Sequence, residues 1–362
     1  MGGAMPSTTR RALLAGAGAA LSSAAPAPAR LPAKVRVGLA GLDGHPGEVT
    51  KPIPSMPDVE LVAISDPAPK TLERFGKSKA AAGARQYASW QQMLDKEKLD
   101  VVGVCNANSM HAEVILEALG RGIHVIAEKP IATDEASLEK VRAAVAKSKS
   151  KFTSILPMRL SPPYLALKEI VASGELGEII QLDSQKSYKT SGERPAWFYK
   201  RATYGGTMAW IGIHMIDLMI HITGRDFVEA FGYQNHIGFP ETGDTENITA
   251  TVFRMDNGGV ALLRMDYLRP QTAKTHGDDR LRIAGTKGIA EYMEATGVTV
   301  MSDQRPREVL TALPPARGVF EEFLQHIYNG KPEPVSWKEI HRGHLIALRA
   351  RQAMESHKAV KI

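Results

Sequence analysis

The sequence predicts an α/β domain built on a parallel sheet (residues 33–150), then an α+β domain (151–335), with a closing helix in 336–362 that packs back on the first domain. Three observations predict it. Apolar runs alternate with helical patterns through the first half, as in a right-handed parallel sheet. The alternation fades after Ser150, where period-2 segments separated by turn signals take over. The runs of the first half also end abruptly in glycine, asparagine, aspartate or proline, the polar tips beyond which such sheets bind ligands.

The chain opens on a leader. Thr9-Arg10-Arg11-Ala12-Leu13-Leu14 sets paired arginines before a weakly apolar Ala/Gly segment, and Ala25–Ala29 (APAPA) offers small-residue cleavage sites. This is the layout of a Tat-type signal peptide over residues 1–29, and it predicts export, to the periplasm. The apolar segment is too short to span a membrane.

Val35–Ala40 reads as the first strand. It enters a glycine-rich turn, Gly41-Leu42-Asp43-Gly44-His45-Pro46-Gly47, an irregular version of the G-x-G-x-x-G turn whose backbone N–H groups approach a pyrophosphate. Asp43 and Pro46 occupy positions where that motif has glycine. Glu60–Ser65 is the second strand. It ends at Asp66, placed to accept hydrogen bonds from a ribose 2′-OH or, alternatively, to cap the helix of Lys70–Ala80. No arginine adjoins Asp66, which favours NAD over NADP.

Leu99–Cys105 is a third buried strand and runs into Asn106 and His111. His111 opens the helix Ala112–Gly120, either as a structural first-turn residue or as a cofactor contact. The apolar run of His124–Thr133 (HVIAEKPIAT) then breaks at Glu128-Lys129-Pro130. Proline lacks an N–H and biases Lys129 toward an extended conformation, at the strand tip where a desolvated lysine can act as acid, base or polarising cation.

In the second half, Arg159 precedes an amphipathic helix, Tyr164–Ser173, and Ile179–Ser187 is a strand carrying Lys186. The polar loop Tyr188–Tyr204 holds Trp197 as a lid or substrate wall. A glycine-rich turn at Gly205-Gly206 leads to Trp210 and a helix whose spacing sets His214, Asp217 and His221 on one face, as two metal ligands and an acid, as a catalytic histidine oriented by a neighbour, or as polar side chains satisfied internally where the helix docks on a sheet. Nothing in that spacing fixes metal-ligand distances, and no metal is expected. Asn247–Met255, Gly259–Tyr267, Arg280–Ala284 and Ile289–Met293 read as antiparallel strands, with His276 in a loop between them. Val319–Asn329 and Lys338–Ser356 are helices.

The formal charge of +6 is scattered, without interleaved aromatics, which argues against a nucleic-acid partner. The single cysteine, Cys105, excludes an intrachain disulfide framework.

Three blocks, LDVVGVCNANSMHAEVILEALGRGIHVIAEKPIAT (99–133), MRLSPPYLALKEIVASGELGEI (158–179) and GGTMAWIGIHMIDL (205–218), with GTKG (285–288), resemble the glucose–fructose oxidoreductase / inositol dehydrogenase (Gfo/Idh/MocA) family in order and spacing. The resemblance implies a Rossmann domain plus an α+β domain with a large open antiparallel sheet that mediates homo-oligomerisation. It also implies a tightly bound nicotinamide, as in exported members, and a carbohydrate substrate between the domains. Lys129 and His214 match the family's catalytic positions. The aspartate that many members carry four residues before the histidine is here Trp210, which cannot take a proton but can stack on a sugar face.

The expected function is therefore a nicotinamide-dependent oxidoreductase acting on a secondary hydroxyl of a sugar, sugar derivative or cyclitol, with His214 as base and Lys129 polarising the oxygen. Two alternatives stand beside it: an NAD-dependent glycosidase or lyase using transient C3 oxidation, and a non-catalytic binding member. Gly41, Asp43, Gly44, His45, Asp66, Asn106, His111, Glu128 and Lys129 are the expected cofactor contacts. Lys129, Arg159, Lys186, Trp197, Trp210, Asp217 and His276 are the expected substrate contacts.

Overall fold

The computed structural model describes residues 30–190 and 194–362; the predicted leader lies outside them. The first domain is a six-stranded parallel sheet. Its chain order is β1 (Val35–Ala40), α1 (Gly47–Thr50), β2 (Val59–Ser65), α2 (Pro69–Gly76), β3 (Arg85–Tyr87), α3 (Trp90–Lys96), β4 (Val101–Val104), α4 (His111–Gly120), β5 (His124–Ala127), α5 (Glu135–Lys147) and β6 (Phe152–Ser154). The spatial order β3-β2-β1-β4-β5-β6 is that of a Rossmann sheet, with its switch point between β1 and β4. Strands β1, β4 and β5 are almost wholly buried, because helices cover both faces of the sheet. The sheet includes β6, so the first domain runs a few residues past 150. Helix α2 stops at Gly76 instead of continuing to Ala80.

The second domain adds α6 (Pro162–Ala172), β7 (Ile179–Lys189), α7 (Arg201–Tyr204), α8 (Ile213–Thr223) and β8 (Phe227–Asn235), followed by β9 (Ile248–Met255), β10 (Val260–Arg269), β11 (Gly277–Gly285), β12 (Gly288–Met293), β13 (Gly297–Ser302) and β14 (Arg305–Val309). Its nine-stranded sheet has the order β14-β13-β12-β11-β7-β10-β9-β8-β15, the last being the two-residue strand Val360–Lys361. Every pairing is antiparallel except β7 with β10. One face of the sheet is buried. The other exposes Ile180, Val252, Val260, Leu262 and Leu268, the outward half of a period-2 pattern.

Two closing helices follow, α9 (Val319–Asn329) and α10 (Trp337–Ser356). It is α9 whose apolar stripe (Val319, Phe320, Phe323, Leu324) joins the first domain's core of Val37, Leu39 and Ile64. Helix α10 lies mainly against β8 and α8, with a smaller contact to α5 and β6, so it bridges the domains instead of simply folding back on the first. Its start is fixed by a capping box between Ser336 and Glu339. Among the described residues no helix is long and apolar enough to cross a membrane.

Candidate active site

Two cavities lie near the tips of the parallel strands. The first, about 390 Å³, lies beyond β1, β2 and β4 and is lined by Gly41, Asp43, Asp66 and Asn106. Gly41 turns there with φ of 85°, and a Cβ on it would fall 2.4 Å from the Asn106 backbone. Only glycine lets the two strand tips approach so closely. Asp66 accepts the Leu42 and Ala68 N–H groups at 3.1 and 2.8 Å. Burial raises its pKa, the nearby Asp43 adds to that, and these two N–H bonds oppose it. Asn106 is buried, and neither its side-chain oxygen nor its nitrogen has a partner. Unpaired buried amides are rare and point to a missing hydrogen-bonding ligand. These features fit a dinucleotide: a close-approach turn for pyrophosphate, an acid at the end of β2 for ribose, and an unpaired amide between them.

Trp197 belongs to this cleft and not to the substrate wall expected of it. With Pro195 and Ala196 it covers the opening from the second domain, and its Nε1 donates to Asp43 at 2.7 Å. That bond also answers the problem of Asp43 in the glycine turn, since the carboxylate is tied to the indole. His111 does not face the cleft. It is fully buried, with Nδ1 2.7 Å from the Pro130 carbonyl and Nε2 2.8 Å from the Asn106 carbonyl, so it latches the β4 and β5 tips together.

Gly44 and His45 turn toward β5. The His45 backbone N–H and its Nδ1 both lie within hydrogen-bond reach of Glu128 Oε2, at 2.9 and 2.8 Å. Burial would raise the Glu128 carboxyl, but His45 and Lys129 outweigh it and hold the pKa at about 2. Glu128 therefore clasps the glycine turn to the strand tip that carries Lys129.

The second cavity, about 140 Å³, brings together Lys129, His214, Trp210, Tyr188, Arg194 and His276, with His45 and Tyr267. The Lys129–Pro130 bond is cis. Lys129 is 1% exposed; its Nζ donates to the Trp210 carbonyl at 2.8 Å and lies 3.5 Å from the Trp210 ring centroid. Burial pushes its pKa down to about 8, with Lys186 and Arg194 adding to the shift and Glu128 opposing it. His214 is held well below the ordinary histidine value, chiefly by burial and then by the charges of Lys129 and Lys186. Its Nδ1 is buried without a partner.

Trp210 sits on a π-helical turn, Met208–Gly212, that feeds α8; such turns recur at functional sites. Its ring holds Lys129 and stacks on His45, with centroids 6.1 Å apart, so less of it is free for a sugar face than its exchange for aspartate led us to expect.

Three expected substrate contacts lie elsewhere. Arg159 forms a two-point ion pair with Asp217, through Nε at 3.0 Å and through Nη2, and reaches Glu339 at 3.1 Å. His221 joins the same cluster through Glu339 at 2.7 Å. Spacing placed His214 and Asp217 on one face, but they are most of a turn apart, and Asp217 is drawn to the buried guanidinium of Arg159. Lys186 is fully buried behind the chamber, bound to Asp279 at 2.8 Å, and contributes charge without lining the wall. Arg194 stands in the stretch Arg194–Phe198 expected as a lid or substrate wall and does line the chamber, whereas the sequence did not point to Tyr267. Tyr188 carried a signal, since in a strand it shares a face with Lys186.

A Rossmann cleft beside a chamber holding a buried lysine and an unprotonated histidine defines a nicotinamide-dependent oxidoreductase. The chain belongs to the GFO/IDH/MocA family. Residues 35–155 match the oxidoreductase family's NAD-binding Rossmann fold, and 164–291 match the GFO/IDH/MocA C-terminal domain. A solved Thermotoga maritima protein assigned as an oxidoreductase superposes with a TM-score of 0.84 at 32% identity, covering 91% of this chain and 100% of that one. The myo-inositol 2-dehydrogenase of the same organism is 23% identical over 346 residues, 91% of this chain and 98% of the relative. The D-glucoside 3-dehydrogenase of Escherichia coli is 30% identical over 230 residues, 58% and 63% of the two chains.

Proposed function

We propose that the protein oxidises a secondary hydroxyl of a sugar, sugar derivative or cyclitol, using NAD. The observation that carries this reading is the meeting of Lys129 and His214 in one chamber beside the nucleotide cleft. Inositol and glucoside dehydrogenases among the relatives support the substrate class. The bound nicotinamide would accept the hydride. The electrostatics favour a division of labour opposite to the one first expected. Neutral His214 donates its ring N–H to the oxygen of the substrate hydroxyl and orients it, and its low basicity makes it a poor holder of the hydroxyl proton. Lys129, near 8, exchanges a proton close to working pH, so its neutral amine takes the hydroxyl proton. In the reverse direction the ammonium returns that proton to a carbonyl.

NAD is favoured over NADP because Asp66 closes the ribose end of the cleft and no lysine or arginine lines it to receive a 2′-phosphate. The cover of Pro195, Ala196 and Trp197 supports slow cofactor exchange. The paired Arg10-Arg11 of the leader supports export by the Tat route, and the apolar outer face of the large sheet supports a homo-oligomer. The test is single-turnover reaction with sugars and inositols, followed at the reduced-nicotinamide absorbance band, together with nucleotide analysis after denaturation. Reduced cofactor with a range of polyols is expected; none with either NAD or NADP overturns the reading. Sugar release without net reduction would instead indicate transient oxidation followed by elimination.

A further inference from the structure

We propose that the active site continues into a second sugar compartment, so that the preferred substrate is a neutral glycoside of at least two rings and not a free monosaccharide or cyclitol. This rests on the oxidoreductase reading above and deepens it. The reactive chamber, about 140 Å³, shares Tyr188 and His276 with an outer cavity of about 640 Å³. Small-molecule sites usually span about 300–1,000 Å³. The chamber alone falls below that range, and the two compartments together fall within it.

The outer walls are suited to a sugar ring. Tyr164 packs edge-on to Tyr292 with centroids 5.3 Å apart, and Tyr188 tilts on His276 at 5.1 Å, giving aromatic surface for the C–H face of a pyranose. Two polar atoms in these walls have no partner. Tyr164 is 3% exposed and its hydroxyl is unpaired; Asp279 gives Oδ2 to Lys186 while its Oδ1 is left free. Burial raises the Tyr164 pKa well above 10, so its hydroxyl is a neutral donor and acceptor. An unpaired carboxylate oxygen beside an unpaired phenol is complementary to sugar hydroxyls, which donate and accept. The charge is selective too. Among the described residues Asp279 and Glu294 line the cavity and no lysine or arginine does, which disfavours phosphorylated or uronate partners and admits a neutral ring. The shared wall sets the arrangement: the ring being oxidised lies at Lys129 and His214, and the glycosidic bond runs past the Tyr188–His276 pair that lines both compartments.

The experiment uses the full chain and pairs each of cellobiose, maltose, trehalose and lactose with its methyl glucoside or methyl galactoside. Binding is read by calorimetry and turnover by kcat/KM. At least one disaccharide is expected to bind and react about tenfold or more better than its methyl glycoside. Tyr164→Phe and Tyr292→Ala should each reduce that ratio several-fold, with thermal melts confirming that the variants fold. Methyl glycosides or inositols used as well as every disaccharide would overturn the second compartment and leave the oxidoreductase reading standing. A disaccharide preference that survives both variants would also overturn it. Failure of every carbohydrate to bind or to reduce the cofactor would overturn both readings.

Discussion

Helix α8 carries two buried polar groups less than one turn apart, with opposite environments. Asp217 faces a saturated network in which Arg159, Glu339 and His221 satisfy one another. His214 faces the chamber with one ring nitrogen unpaired and two buried lysines nearby. The network holds Glu339 well below the carboxylate range, because its hydrogen bond to His221 and the Arg159 charge outweigh burial. The chamber does the reverse to its cation: burial outweighs the ion pair that Lys129 makes with Glu128 at 3.6 Å. Saturation marks groups that hold the fold, and deficit marks groups waiting for a substrate.

Substitutions on the two sides can break that contrast. Lys129→Ala should have the largest effect, a loss of roughly 10²–10⁴-fold in kcat at unchanged NAD affinity, read by stopped-flow and calorimetry. Near-normal turnover would remove Lys129 from the chemistry. His214→Ala should cost about 10²-fold in kcat with a smaller change in melting temperature. Asp217→Ala should invert the pattern. It strands a buried guanidinium and should cost about 3–5 kcal/mol of stability in denaturant titration, while the folded fraction keeps kcat within a few-fold. A stable, inactive Asp217→Ala protein would contradict the assignment.

The pH profile sharpens the comparison. Oxidation needs the neutral amine, so kcat should rise about tenfold per pH unit below the Lys129 pKa of about 8 and flatten above it. Carbonyl reduction needs the ammonium, so it should stay level below that pKa and fall about tenfold per pH unit above it. His214 stays neutral above pH 6.5 and adds no inflection there. The smallest effect is expected of Trp210→Phe, a rise of a few-fold in KM. Phenylalanine holds a cation less well than indole, so the inflection should also move to lower pH.

How much of this was legible in the sequence follows from how local each signal was. The parallel strands announced themselves because burial on both faces leaves continuous apolar runs, and Lys129 was found because Pro130 ends one of them. Strands β3 and β6 are three residues each, too short to show a period. Lys129, His214 and Trp210 meet because their motifs lie at element ends. Arg159 and Asp217 misled because a charged residue in a motif looks the same whether its partner is a substrate or a guanidinium far along the chain. His111 misled for a similar reason: its place at a strand tip was visible, while its two carbonyl partners depend on how neighbouring tips pack. Trp197 was expected as a lid or wall on the substrate side, and its place over the nucleotide cleft was hidden because its bond to Asp43 spans 154 residues of sequence.

That Trp197–Asp43 bond also bears on the order of events in a catalytic cycle. On the proposed reading, a dinucleotide held beneath the indole would leave only after the segment carrying it lifts, while the chamber would empty through the outer cavity it adjoins. Trp197 and Asp43 would then keep the nicotinamide in place between a donor and an acceptor that use the chamber in turn. An enzyme working in that mode gives parallel lines in double-reciprocal plots of donor against acceptor. Its chamber must then recognise what the two molecules share, a ring bearing one carbon that alternates between carbinol and carbonyl.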